Sequence, residues 1–257
     1  VGLRGPESHA PSTIRNTATG QPLAVSCQTT ASTAICTPTS PLADGNYTLS
    51  ATVQDYAGNT SKPVALQFTI DTVPPTITIT SPTRTLTNQP NLTLAGTLSK
   101  IATLTVNGQA VTVNGALQFS LPITLTEGAN TYTLVATDRA GNVATTTLTI
   151  TLDTVPPPPP DLGLFNVAGP ANGQVTVTGQ AGSVQGGDTV TLTDTVTGAT
   201  VTVTANADGS FTATLAAGSS DPISVSVADP AGNVTRAPTT IEASNLPPSP
   251  SSEAPAL

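Results

Sequence analysis

From Thr76 to Leu152 polar and apolar residues alternate in seven short runs: TITIT (Thr76 to Thr80), NLTLAG from Asn91, ATLTV (Ala102 to Val106), QAVTV (Gln109 to Val113), ALQFSL from Ala116, NTYTLVAT (Asn130 to Thr137) and VATTTLTITL (Val143 to Leu152). A period of two sends successive side chains to opposite faces, so each run predicts a strand with one face buried. Two Asn-Gly pairs, Asn107-Gly108 and Asn114-Gly115, fall between runs. They suit the positive φ angles that tight hairpins require.

The pattern recurs on a longer period. Asp55-Tyr56-Ala57-Gly58-Asn59, Asp138-Arg139-Ala140-Gly141-Asn142 and Asp229-Pro230-Ala231-Gly232-Asn233 lie 83 and 91 residues apart, and Pro-Pro steps at Pro74, Pro156 and Pro247 keep pace. Such periods are too long for a solenoid and fit a complete small β domain of seven short strands. The expected fold is all-β: three tandem immunoglobulin-like β-sandwich domains, beads on a string. Their spans are 12–72, 73–154 and 155–246, with an N-terminal tail over 1–11 and a Pro/Ser-rich linker or tail over 247–257. Residues 1–11 lack alternation, which leaves the first domain short of an edge strand, and open edges accept strands from other chains. Tyr47 and Tyr132 stand near the start of the penultimate strands, where a tyrosine corner ties back to an upstream backbone group; Ile223 takes that place in the third domain.

Composition agrees and narrows the chemistry. Thr is about a fifth of the 257 residues, charged residues are 9%, and Met and Trp are absent. β-branched content favours strands, and helix is expected to be nearly lacking. The net charge of −8 comes from dispersed single carboxylates, and the seven Lys plus Arg form no cluster. A nucleic-acid interface therefore lacks its electrostatic footprint. There is no apolar run of membrane-spanning length.

The two cysteines, Cys27 and Cys36, are nine residues apart and His9 is the one histidine. A metal centre would need four ligands. A disulfide closing a local loop is the better reading and implies an oxidising compartment. No nucleophile elbow or Ser/His/Asp set is present, and no catalytic role is expected.

The stretches DGNYTLSATVQDYAGN, EGANTYTLVATDRAGN and SVSVADPAGN, the first two each followed by a strand and DTVPP, resemble the bacterial Ig-like domains of secreted and surface adhesins. The resemblance covers about Ser12 to Leu246. It implies an extracellular or bacterial cell-surface location and partners that are neighbouring Ig-like domains, other subunits, or a host surface glycan or protein. It also bears on the Asp of each Asp-x-Ala-Gly-Asn. Read from the residues, that Asp accepts backbone N–H bonds in a turn where Gly supplies the left-handed conformation. The resemblance adds Ca²⁺ at domain junctions, with Asp71, Asp138, Asp153 and Asp55 as ligands, since a hard cation gathers carboxylate and carbonyl oxygens. The linker Asp of the third domain is replaced by Ser244.

The functional expectation is a non-catalytic spacer or stalk of an extracellular bacterial protein, adhesin-like in type. The alternatives are a filament or phage-fibre subunit assembled by strand exchange, and a carbohydrate- or protein-binding accessory module.

Overall fold

The computed structural model describes residues 8–9, 13–29, 34–54 and 57–242. Within the first repeat the strands are β1 (Ser8–His9), β2 (Thr13–Asn16), β3 (Pro22–Leu23), β4 (Val25–Thr29), β5 (Ala34–Pro38), β6 (Gly45–Ala51), β7 (Val53–Gln54) and β8 (Val64–Ile70). The middle repeat has β9 (Ile77–Ser81), β10 (Leu86–Thr87), β11 (Asn91–Leu98), β12 (Ala102–Val106), β13 (Gln109–Val111), β14 (Gln118–Thr124), β15 (Gly128–Asp138) and β16 (Val143–Leu152). The third has β17 (Phe165–Ala171), β18 (Gln174–Gly179), β19 (Thr189–Asp194), β20 (Thr200–Thr204), β21 (Phe211–Ala216), β22 (Ile223–Ala228) and β23 (Val234–Arg236). Among the described residues the one helical element is a single 3₁₀ turn, Leu162–Leu164.

The fold is all-β, of tandem immunoglobulin-like sandwiches. The sheets run β3-β2-β6-β8, β1-β7 and β4-β5; β10-β16-β15-β12-β13 and β14-β11-β9; then β17-β18-β21 and β20-β19-β22-β23. The chain divides into two compact units, one of residues 1–78, 97–119 and 134–146, the other of residues 79–96, 120–133 and 147–257.

In the first unit β12 pairs antiparallel with β15, Leu104 opposite Ala136 and Val106 opposite Leu134, and all four are buried. The intervening Thr103, Thr105, Val135 and Thr137 lie on the other face, as the period of two requires. Likewise β2 pairs with β6, Ile14 opposite Leu49. In the second unit β18, β19, β21 and β22 carry Val175, Val177, Val190, Leu192, Leu215, Ile223, Val225 and Val227, none more than 2% exposed. Full burial of such side chains is worth about 1.5–3 kcal/mol each, which is why the Thr/Val alternation holds as a sandwich despite few large residues.

Three local expectations are corrected, and one strand is added. Asn107 and Gly108 take φ of 49° and 79° and turn β12 into β13, but at Asn114-Gly115 the positive φ falls on Leu117, at 61°. There the Asn114 carboxamide oxygen accepts the N–H groups of Ala116 and Gln118 and shapes the turn instead. Ser8 and His9, assigned to a tail, pair with Gln54 and Val53. The short β10 carries too little alternation to have been foreseen. Lastly, Tyr47 makes the expected corner, its hydroxyl donating to Ala43 O at 2.7 Å, whereas Tyr132 does not. In the middle repeat Asn130, 83 residues after Tyr47, donates from Nδ2 to Thr126 O at 2.7 Å. Both bonds span four residues, so an amide does the hydroxyl's work.

Between β4 and β5 the register sets Cys27 opposite Cys36. Thr39 N donates to Ala24 O at 3.0 Å, making that opposed pair a hydrogen-bonded one. Alternation then makes Cys27 and Cys36 a non-hydrogen-bonded pair, the kind whose Cα atoms approach to about 4.5 Å.

Candidate linker-holding site

Two of the three Asp-x-Ala-Gly-Asn turns are seen to be built by their own Asp. At the end of β15 the Asp138 Oδ1 accepts the N–H groups of Ala140 and Asn142, both at 2.9 Å, while Gly141 takes φ of 92°. After β22 the Asp229 Oδ1 accepts Gly232 N at 2.8 Å and Asn233 N at 2.9 Å, with Gly232 at 98°. Gly58 has the same left-handed backbone, φ 90°; Asp55 lies outside the described residues.

The Asn that closes the turn reaches beyond it. Asn142 Nδ2 donates to Asp138 Oδ2 at 3.0 Å and to the backbone oxygen of Asp71 at 2.8 Å. Asn233 Nδ2 does the same with Asp229 Oδ2 at 2.8 Å and the backbone oxygen of Asp153 at 2.7 Å. The motif that reads as a turn thus also holds the Asp-Thr-Val-Pro-Pro linker.

Inside each linker the residues are tied again. Asp71 Oδ1 accepts Val73 N and Asp153 Oδ1 accepts Val155 N, a two-residue turn of the Asx kind. Thr72 donates its N–H and hydroxyl to Asp44 Oδ1, at 3.1 and 2.9 Å. Thr154 binds Glu127 in the same way, hydroxyl to Oε2 at 2.9 Å. Asp44 and Glu127 stand at the heads of β6 and β15. The second linker has one further bond, Thr235 Oγ1 to Pro157 O at 2.6 Å.

The two sites differ in charge. At the first, the Lys100 ammonium sits between the carboxylates, 2.8 Å from both oxygens of Asp71 and 3.1 Å from Asp138 Oδ2, and donates to Val73 O. The Asp138 side chain is 2% exposed, those of Asp71 and Lys100 about a third or less. The Asn142 amide, with Lys100 and the Asn142 N–H, outweighs burial and pulls the Asp138 carboxyl down to about 2. Lys100 is raised, chiefly by its hydrogen bond to Asp71. The calcium expectation at Asp71 and Asp138 thus meets a tethered cation that already satisfies the same oxygens.

At the second site the register that puts Asp188 where Ala102 stands puts Gly186 in the place of Lys100, so no ammonium is supplied from that position. A further carboxylate stands instead at the position that Ala102 holds in the first site. Thr189 pairs with Ala228, which sets Asp188 across from Asp229 as Ala102 is across from Asp138. Asp188 is fully buried and neither carboxylate oxygen has a hydrogen-bond partner. Burial, then the charge of Asp229, pushes its carboxyl up. Burial also acts to raise Asp229, but the Asn233 amide and the turn N–H groups prevail and hold it low. Among the described residues no group of three or more His, Cys, Asp or Glu is gathered as a ready metal cage. Ser244 lies outside them.

In the sequence Asn142 and Asn233 read only as turn residues, and nothing there joined Lys100 or Asp188 to these sites. The recurrence of Asn at the end of all three motifs was the available signal for two of them; nothing in spacing marked the other two.

Two stretches match family models: residues 9–72 that of a bacterial Ig-like domain, and residues 75–154 that of glucodextranase, domain B. No curated protein matches the chain. Among solved structures it is similar to a tetra-tandem repeat in the extending region of a large adhesion protein, 21% identical over 93% of this chain and 68% of that one, TM-score 0.31. It is also similar to a Ca²⁺-stabilized adhesin that helps an Antarctic bacterium bind ice, 23% identical over 91% and 64%, TM-score 0.32. A third likeness is to the fibronectin(III)-like modules of Clostridium thermocellum CbhA, 17% identical over 60% and 82%, TM-score 0.35. Among the described residues no helix is long and apolar enough to cross a membrane.

Proposed function

We propose that the chain is a non-catalytic spacer of an extracellular bacterial surface protein, adhesin-like in type, in which repeats 12–72, 73–154 and 155–246 are load-bearing modules. The observation that carries this reading is the repeated grip of Asn142 on Asp71 and of Asn233 on Asp153. A linker fixed by its carbonyl on one side and by its Thr on the other has little freedom to hinge, which is what transmission of force through a series of modules requires. Pro-rich composition adds stiffness. Pulling on the two chain ends should give successive unfolding events with length increments of one repeat each; a single rupture of the whole chain would overturn the reading.

Calcium fits one junction and not the other. Lys100 leaves Asp71 and Asp138 no need of a metal, while the orphaned oxygens of Asp188, across from Asp229, suit a hard divalent cation, which would supply charge compensation only. Chelator should lower the melting temperature of the second unit alone; no change there retires calcium. Cys27 and Cys36 form a disulfide in this reading, consistent with their opposed positions and with an extracellular site.

A further inference from the structure

The chain has three Asn-Gly steps, Asn107-Gly108, Asn114-Gly115 and Asn172-Gly173, and the fold holds each differently. Glycine after asparagine has a chemical consequence: with no Cβ in the way, its backbone nitrogen can reach the carboxamide carbon of the Asn. At Asn114 the side chain is committed elsewhere. Its Oδ1 accepts the N–H groups of Ala116 and Gln118, both at 2.9 Å, so turning the carboxamide toward Gly115 breaks two hydrogen bonds at once.

The other two steps sit in matching hairpins, with φ of 49° and 79° at Asn107 and Gly108 and of 55° and 76° at Asn172 and Gly173. Two successive positive φ angles make a type I′ turn, whose backbone swings the following nitrogen away from the Asn side chain. Attack therefore requires the turn to open first, and the hairpins differ in what keeps them shut. Behind Asn107-Gly108 three consecutive pairs run unbroken, Val106 with Gln109, Thr105 with Ala110 and Leu104 with Val111, and Val106 and Leu104 are buried. Behind Asn172-Gly173 a single pair, Ala171 with Gln174, is followed by a bulge before pairing resumes at Ala168 with Thr176. Gly169 and Pro170 fill that bulge, and Pro170 has no N–H to give. Ala171 to Gln174 are all exposed, and the Asn172 carboxamide is bonded to no described residue. Beyond the hairpin, Ala217 N reaches Gly173 O at a long 3.3 Å. Little is broken when this tip opens.

We infer that Asn172 is a self-modifying site, at which the chain deamidates without an enzyme through attack by the Gly173 nitrogen. In the opened tip that nitrogen bonds to Cγ of Asn172, its proton passes through solvent to the departing amide group, and ammonia leaves behind a five-membered imide. Water then adds to one of the two imide carbonyls and breaks its bond to nitrogen. Opening at the side-chain carbonyl restores the main chain and leaves an aspartate; opening at the main-chain carbonyl leaves isoaspartate, whose backbone is one carbon longer. The net change is ammonia exchanged for water, with no oxidation or reduction. The consequence falls on β17, the edge strand of β17-β18-β21, which follows directly on the second linker and packs Phe165 and Val167 on the core. A longer, charged tip weakens its pairing to β18, so ageing loosens the strand by which the linker enters the third repeat.

The test ages the full chain in warm, mildly alkaline buffer, folded and in concentrated urea, and follows the three Asn-Gly steps by peptide mass and by isoaspartate-specific methylation. In the folded protein Asn172 should convert about tenfold or more faster than Asn107, in line with its easier local opening, with Asn114 slowest. In urea the three should react at similar rates, which assigns the ranking to the fold. A folded protein in which Asn172 stays intact, or in which Asn107 or Asn114 matches it, overturns the proposal, as does the same ranking in urea. Amide exchange at Val167 and Ala168 should be faster in the isoaspartate form than in the fresh protein; unchanged exchange there overturns the loosening of β17.

Discussion

The side-chain amide of Asn142 donates at 2.8 Å to the backbone oxygen of Asp71, 71 residues upstream. Because the same amide also binds Asp138 Oδ2, one side chain joins the turn to the linker. Asn142→Ala should therefore cost about 1–2 kcal/mol, the range for hydrogen bonds with partial charge assistance. Asn142→Asp should cost more, since it sets a carboxylate against both a carbonyl and Asp138. Thermal melting with exchange at Thr72 and Val73 reads both; an Asp variant that melts like the original would remove Asn142 from the grip.

Lys100 neutralises two carboxylates of unequal burial, Asp138 at 2% and Asp71 at 33% side-chain exposure. Lys100→Met is expected to destabilise the first unit mainly through Asp138, because a buried charge left without its partner is the costly outcome. Adding Asp138→Asn should then restore part of the loss, whereas adding Asp71→Asn should restore little. A double-mutant cycle measures this directly; equal rescue by both would show that burial does not set the balance.

The acid limb of stability follows from Asp138. Its carboxyl is held at about 2, below the ordinary carboxylate value near 3.8, so its contribution is complete above about pH 4 and is lost as pH falls toward 2. The difference between the original protein and Asp138→Asn should be largest at neutral pH and shrink through that window. A difference that stays constant from pH 5 to 2 would mean the carboxylate is not preferentially stabilised in the fold.

Much of this architecture was legible in the sequence, for a physical reason. Period-two alternation maps directly onto pleated strands, so ATLTV and VATTTLTITL coincide with β12 and β16 to the residue. Turns were less legible, because a turn is decided by which atom accepts each N–H. Asn107-Gly108 took the expected backbone, yet Asn114 acted through its side chain. The site was legible only in part. Asp138 as turn builder could be read from its motif, but its partners Lys100 and Asp71 meet it through the fold, 38 and 67 residues away along the chain. The middle corner moved from Tyr132 to Asn130 because the repeat offset, and not residue type, selects the position.

Reduction should loosen the first repeat. If Cys27 and Cys36 are joined, their link closes a loop of about ten residues, worth roughly 2–3 kcal/mol on loop-entropy grounds. Melting with and without reductant, alongside Cys27→Ser with Cys36→Ser, should give matching losses confined to the first repeat. An unreduced protein that reacts with thiol reagents at both positions would refute the link.

Asp188 offers the sharpest contrast between the two linker sites. Its carboxyl is raised by burial and by Asp229, so the sign is opposite to that of Asp138: the fold disfavours its charged form. Its contribution is least unfavourable below the ordinary carboxylate value, and stability is lost as pH rises through its raised one. Asp188→Asn keeps the shape and removes the charge. Without calcium it should therefore melt higher than the original protein at neutral pH and no higher near pH 3. Added calcium should raise the melting temperature of the original protein and leave the variant nearly unchanged, since the orphaned oxygens that would take the ion are halved in number and uncharged. A variant that is less stable at neutral pH without calcium would show that Asp188 has a partner the fold already supplies. Equal calcium responses in the two proteins would place any bound ion elsewhere.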